Sequence, residues 1–184
     1  MDSSNRSPLI LGIDAGFTGL GLALMELRAP YPLRRAWSVR TKPGTGPRIQ
    51  TKDDSRRIAE LALSFVEDVA AMEPRPAIAA VELATGTPNA TTARKMGMGH
   101  GLIIACLELV MIGYEIVSPH QVKVQATGSR KGDKATMMDA ALDRWPGFEW
   151  PKLKADREHA VDAAFAALWV AIHVPIARAL AGVE

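Results

Sequence analysis

Residues 9–27 read LILGIDAGFTGLGLALMEL. A continuous apolar run from Leu9 to Ile13 stops at Asp14, and a second small, apolar run from Gly19 to Leu27 follows the link Ala15-Gly16-Phe17-Thr18. Two such runs joined by a short glycine-containing link predict a β-hairpin. The pairing leaves a carboxylate, Asp14, at the end of the first strand.

Working outward, Ala36 to Thr41 predicts a third strand, and the Pro/Gly-rich Lys42 to Arg48 predicts a loop. From Asp53 the apolar positions Ile58, Leu61, Ala62, Phe65, Val66 and Val69 follow one helix face, which Pro74 and Pro76 stop. Ala77 to Glu82 is a short buried-strand pattern that ends on a second carboxylate. Thr85-Gly86-Thr87-Pro88-Asn89 then opens a long helix through Gly97, Gly101 and Leu107 towards Ile112, and Tyr114 to Val117 is the next strand. Lys131 to Trp145 carries a helical stripe of Met138, Ala141, Leu142 and Trp145. The last helix starts near Arg157, turns Val161, Phe165, Leu168, Trp169 and Ile172 inward, and meets Pro175. Strand, strand, strand, helix, strand, helix, strand, helix, helix is the order of an α/β protein, a five-stranded mixed sheet flanked by helices.

The 184 residues, 48% hydrophobic and 23% charged, exclude disorder, collagen and coiled coil. A chain of this length buries roughly 70% of its unfolded surface. One domain over residues 1–184 is expected, with 1–8 as a tail. The net charge of +2 decides nothing by itself, since phosphate binding needs only a local positive patch. Three basic clusters qualify: Arg34 to Arg57, then Lys123, Arg130, Lys131 and Lys134, then Lys152, Lys154 and Arg157. Cys106, alone in an apolar run, predicts a buried thiol in a reducing compartment. The start lacks a secretion-signal core, and the apolar stretch from Gly101 to Gly113 is broken by Glu108 and too short for a bilayer. A cytoplasmic protein with no membrane contact is expected.

Asp14, Glu82 and Asp162, the last on the inward stripe of its helix, are placed where a charge faces a large desolvation cost unless a cation compensates it. If the first and fourth strands are neighbours, Asp14 and Glu82 emerge at one sheet edge. His159 precedes Asp162 by three positions and shares its helix face. Taken singly, Asp14 can be a turn-former, Glu82 a cap or an arginine partner, and His159 a surface residue. Together they form an oxygen-rich site with one nitrogen, suited to Mg²⁺ or Mn²⁺. Paired ions roughly 3.5–4 Å apart hold a phosphodiester, activate water and stabilise the leaving oxygen.

These residues resemble a known family, the RuvC-type Holliday-junction resolvases of the ribonuclease H-like fold. Gly12-Ile13-Asp14-Ala15-Gly16 with Thr18-Gly19-Leu20-Gly21 resembles its opening motif and Ala80-Val81-Glu82 its second. Asn89, Ala93, Gly97 and Gly101 match the following helix, and Gln121-Val122-Lys123, Gly128 and Lys134 the DNA-contacting segment. His159-Ala160-Val161-Asp162-Ala163-Ala164 resembles the closing acidic motif. The resemblance implies that Asp14, Glu82, His159 and Asp162 bind two metal ions. It implies that Lys123 and Lys134 engage phosphates near the scissile bond, with Arg130, Lys131 and Asn89 as further DNA contacts. It also implies a homodimer on four-way or branched DNA, with much of the contact on the Gly97 to Ile112 helix. Ala15 departs from the family's usual proline, and Thr85 stands where bacterial resolvases usually carry a base-stacking aromatic. Two alternatives stay open: an ATP-binding protein of the actin and sugar-kinase class, whose phosphate loop Asp14 to Gly19 also resembles, and a non-catalytic branched-DNA-binding protein.

Overall fold

In the computed structural model, which describes residues 7–47, 49–83, 86 and 89–182, the expected hairpin is β1 (Leu9–Ala15) against β2 (Gly19–Glu26), with Asp14 opposite Gly21. Readings that fall on residues 1–6, Arg48 and Thr85 lie outside the described residues. β3 (Leu33–Arg40) pairs antiparallel with β2, whereas β4 (Ile78–Glu82) and β5 (Tyr114–Val117) run parallel to β1. The sheet order is β3-β2-β1-β4-β5.

Helices cover both faces, which is why the strands read as unbroken apolar runs rather than alternating ones. On one face Leu11, Ile13, Leu20, Leu22 and Val81 pack against α1 (Gln50–Ala70) and α2 (Ala90–Leu109). On the other, Ile10, Ala23, Met25 and Ala80 meet α5 (Lys154–His173), whose outer side is covered by α3 (Pro119–Thr127) and α4 (Lys134–Arg144). With α6 (Pro175–Leu180), the helices number six among the described residues. None is long and apolar enough to cross a membrane.

α5 lies unusually close to the sheet. A Cβ added at Gly12 would stand 1.9 Å from the Ala163 carbonyl oxygen, and one at Gly21 would stand 2.1 Å from that of His159. These are backbone collisions that no side-chain rotation relieves. The helix answers with Ala160, Ala163, Ala164 and Ala167, all fully buried, so two glycines and an alanine face set how deeply α5 sits. Gly21→Ala should therefore lift the helix and cost about 3 kcal/mol, the upper range for overpacking. Urea unfolding measures it; an unchanged midpoint would show that α5 can shift freely.

Several expected boundaries move. α3 was not anticipated and separates β5 from α4. The helix expected from Lys131 starts at Lys134, because Asp133 caps it by accepting from the Thr136 N–H at 2.8 Å. Its buried stripe is Met137, Ala141 and Trp145, a phase that leaves Leu142 half-exposed. The last helix begins at Lys154 and ends at His173, just before Pro175, which opens α6. Met111, just past the end of α2, is a surface residue.

Candidate active site

Asp14 and Glu82 are register partners on the parallel strands β1 and β4. Side chains alternate along a strand, so both share the face of Ile10, Ile78 and Ala80, beneath α5. The strands thus deliver two carboxylates side by side, and α5 lowers His159 and Asp162 onto them, one turn apart. His159 Nδ1 is 2.6 Å from Asp14 Oδ2. From the other side, the first residue of α4, Lys134, pairs through Nζ with Asp162 Oδ2. Lys123 on α3 joins Glu82, Lys134 and Asp162 around a cleft of about 410 Å³.

The electrostatics of this group are unbalanced. Burial, with the neighbouring Asp14 and Asp162 charges, pushes the Glu82 carboxyl up to about 9, against the weaker pull of Lys134 and Lys123. Its Oε2 is buried without a hydrogen-bond partner among the described residues. Burial likewise raises Asp162, only partly offset by Lys134. His159 is raised because its hydrogen bond to Asp14 outweighs burial. For Lys134, burial works downward, but the attraction of Asp162, Asp14 and Glu82 wins and the ammonium is favoured. Asp162 has a cationic partner in Lys134 and Asp14 a hydrogen-bonded imidazole in His159, whereas Glu82 lacks either in contact among the described residues. Strongly shifted groups in a cleft are a mark of function.

The donor set suits a hard divalent cation: carboxylate oxygens, one imidazole nitrogen, no thiolate, and an orphaned buried oxygen on Glu82. Among the described residues, no three His, Cys, Asp or Glu side chains are already gathered about one point. The fit therefore lies in the kind of donor, with Lys134 and His159 engaging two of the carboxylates.

Arg130 and Lys131 are exposed on the link between α3 and α4, next to the cleft's lysines. Asn89 serves the fold, since its side chain caps α2, accepting from the Thr92 N–H at 2.9 Å. The Arg34 to Arg57 stretch is not the uniformly basic face its composition suggested. Arg34 pairs with Glu26, Arg40 with Asp156, and Arg56 with Asp53 and Glu60. Arg57 is buried, donating to Thr41 Oγ1 at 3.0 Å, with its guanidinium 4.8 Å from the Phe17 ring centroid.

Sequence reasoning missed the clamp behind the hairpin link. Asp54 on α1, only 2% exposed, pairs with Arg94 and, at 3.8 Å, with Lys95 on α2. Lys95 Nζ and the Arg57 guanidinium both approach the ring of Phe17, three residues after Asp14. Asp54→Ala should lose about 2 kcal/mol, since it removes the carboxylate that ties α1 to Arg94 and Lys95 of α2. A thermal-unfolding difference below about 1 kcal/mol would show the pair to be dispensable.

The sheet order β3-β2-β1-β4-β5, with carboxylates at the carboxyl ends of β1 and β4 and on the helix packed over them, is that of the ribonuclease H-like α/β fold. Proteins with that fold to which this chain is similar include RuvC-type Holliday-junction resolvases. A RuvC crossover junction endodeoxyribonuclease from Streptomyces avermitilis is 29% identical over 165 residues, covering 87% of this chain and 86% of that one. Thermus thermophilus RuvC in complex with a Holliday junction substrate superposes with a TM-score of 0.74 at 22% identity, over 92% of this chain and 96% of that one. The yeast mitochondrial Holliday junction resolvase Ydc2 shares the fold at a TM-score of 0.60 and 11% identity, over 97% and 86%. No family model matches the chain.

Proposed function

We propose that this chain is a divalent-metal-dependent, structure-selective endodeoxyribonuclease that resolves four-way DNA junctions by paired symmetric nicks. The observation that carries the reading is the register of Asp14 against Glu82 at one sheet edge, with His159 and Asp162 of α5 directly over them. Asp14, Glu82, His159 and Asp162 would hold two Mg²⁺ or Mn²⁺ ions. Bound there, such ions activate water and stabilise the leaving oxygen. Lys134, paired with Asp162, would pass to a phosphate oxygen, and Lys123, which lines the same cleft, would offset charge on that phosphate. Arg130 and Lys131, exposed beside the cleft, would extend the DNA contact along the flanking backbone, while Asn89 acts through the cap it gives α2.

A homodimer would give the two equivalent nicks of a two-fold junction. The surface suited to it is α2 and its end: Gly97 and Gly101 face open space, and Leu109 and Met111 are 79% and 85% exposed. Exposed apolar side chains beside helix glycines fit a close contact with a second copy.

The test is incubation with end-labelled four-way junction, flap, fork and linear duplex in Mg²⁺, Mn²⁺ or EDTA. Metal-dependent cuts paired across the junction are expected. Junction binding without cuts in either metal would favour the non-catalytic reading, and uniform nicking of linear duplex would remove junction selectivity.

A further inference from the structure

Gly16, Phe17 and Thr18 join β1 to β2 directly after Asp14 and Ala15. Three elements grip this link. α2 lies against its backbone at Gly99, where an added Cβ would stand 3.4 Å from the Gly16 carbonyl carbon and 3.5 Å from the Phe17 nitrogen. α5 is also close, since a Cβ added at Gly16 would stand 3.9 Å from His159 Cε1. Just past β3, the Thr41 N–H donates to the Thr18 carbonyl oxygen at 3.1 Å. The side chain that anchors the link is Phe17, only 6% exposed. The Arg57 guanidinium carbon lies 4.8 Å from its ring centroid and Lys95 Nζ 5.0 Å. A ring face carries partial negative charge and attracts cations, more strongly where water is excluded. Both cations are themselves held. Arg57 donates to Thr41 Oγ1 at 3.0 Å and to the Thr41 carbonyl oxygen at 3.3 Å, and Lys95 stands 3.8 Å from Asp54.

From this arrangement we infer that Phe17 is a positioning residue for the cleft: its ring, held by cations of α1 and α2, fixes the β1–β2 link and through it the Asp14 carboxylate and the His159 imidazole. The inference rests on the nuclease reading of the cleft. Asp14 and His159 meet at 2.6 Å, and Gly16, next to Phe17, neighbours the His159 ring. A displaced link therefore moves both groups together. Reacting groups tolerate little displacement, since a misplacement of about 1 Å costs about 10²-fold in rate. Phe17 is gripped from α1 and α2, whereas Asp14 lies beneath α5, so the ring acts without touching DNA. The same cations give the seat its direction: an aliphatic side chain would fill the space, but only an aromatic face is drawn to Arg57 and Lys95.

The experiment uses the full chain with mono-, di- or trifluorinated phenylalanine in place of Phe17, acting on a four-way junction in Mg²⁺. Fluorine withdraws charge from the ring face and leaves its shape and apolar surface nearly intact, so the fold is preserved. kcat should fall stepwise with the number of fluorines, reaching about tenfold for the trifluorinated ring. KM, and junction affinity in EDTA, should stay within about twofold. Lys95→Met removes one cation and leaves Arg94 on Asp54; it should lower kcat about threefold and flatten the fluorine series, as coupled residues do. In EDTA, without DNA, the His159 Cε1 proton resonance should shift along the same series. A flat kcat series, or a His159 resonance that stays fixed, would overturn the positioning role while the nuclease stands. So would a KM that rises at constant kcat, since Phe17 would then be a DNA contact. Absence of cleavage of any branched DNA by the unmodified protein would overturn the nuclease reading and the positioning role with it.

Discussion

Asp14→Asn is expected to reduce junction cleavage at least about 10³-fold and to leave junction affinity within about threefold. Asparagine keeps the side-chain volume and an acceptor for His159, which stands 2.6 Å from Asp14 Oδ2, so the packing of α5 on β1 should survive. What is lost is a negative charge proposed to hold the divalent cations, and no neighbour can replace it. Glu82 is in register but already protonation-prone, and Asp162 is engaged by Lys134. On the proposed reading affinity is insulated, because it would come mainly from lysines and arginines on phosphates, outside the carboxylate pair. Single-turnover cleavage in Mg²⁺ and gel-shift titration in EDTA separate the two quantities. A variant that cuts at the wild-type rate would remove Asp14 from the chemistry. A variant that loses binding in proportion to cleavage would make it a folding residue.

The parts of this site that were legible are those in which residue type and local pattern coincide. Asp14 and Glu82 each end an apolar run, and His159 and Asp162 share a helix face, so strand adjacency alone was needed to join them. β1 and β4 are indeed neighbours, with the two carboxylates as partners. α3 had a readable start, Ser118-Pro119 with Gln121 forming a capping box, but only Val122 of its residues is buried, so no apolar stripe announced it. Near-complete burial of α5 hid its orientation, because a helix packed on two sides has no polar face to contrast with an apolar one. The depth of α5 was legible only in retrospect: Gly12 and Gly21 read as small strand residues until Ala163 and His159 are seen against them. The ion pairs that neutralise the Arg34 to Arg57 stretch include partners far along the chain, such as Asp156, and Asp54 meets Arg94 across 40 positions. No periodicity encodes such pairs. The basic count was therefore a poor guide to which charges are available.

Glu82→Gln is expected to make the metal-free protein more stable at pH 8 by several kcal/mol while abolishing cleavage. The Glu82 carboxyl titrates near the ordinary 4.5 when unfolded but is pushed up to about 9 in the fold by burial and by the Asp14 and Asp162 charges. A folded pKa above the unfolded one means that the native state holds its proton more tightly. The associated stability is complete below about pH 4.5 and drains away as pH rises to about 9. At pH 8 the deficit is roughly 3–5 kcal/mol relative to acid. Glutamine fills the same space without a charge to desolvate, so this part of the pH dependence should vanish; the rise in Asp162 pulls in the same direction in both proteins and largely cancels in the comparison. Urea unfolding at about pH 5 and about pH 8 in EDTA measures it, with the two proteins close at the lower pH and the variant well ahead at the higher. Millimolar Mg²⁺ should then recover much of the gap for the wild type at high pH and little for the variant, because a ligand that binds only the native state stabilises it by mass action. Parallel stability curves in EDTA would mean that Glu82 is satisfied without a cation. An Mg²⁺ response undiminished by the substitution would mean that the ion is held elsewhere. If both expectations hold, the destabilised carboxylate is the feature that makes the sheet edge a cation site, and the stability given up in the metal-free protein is regained when the cation binds.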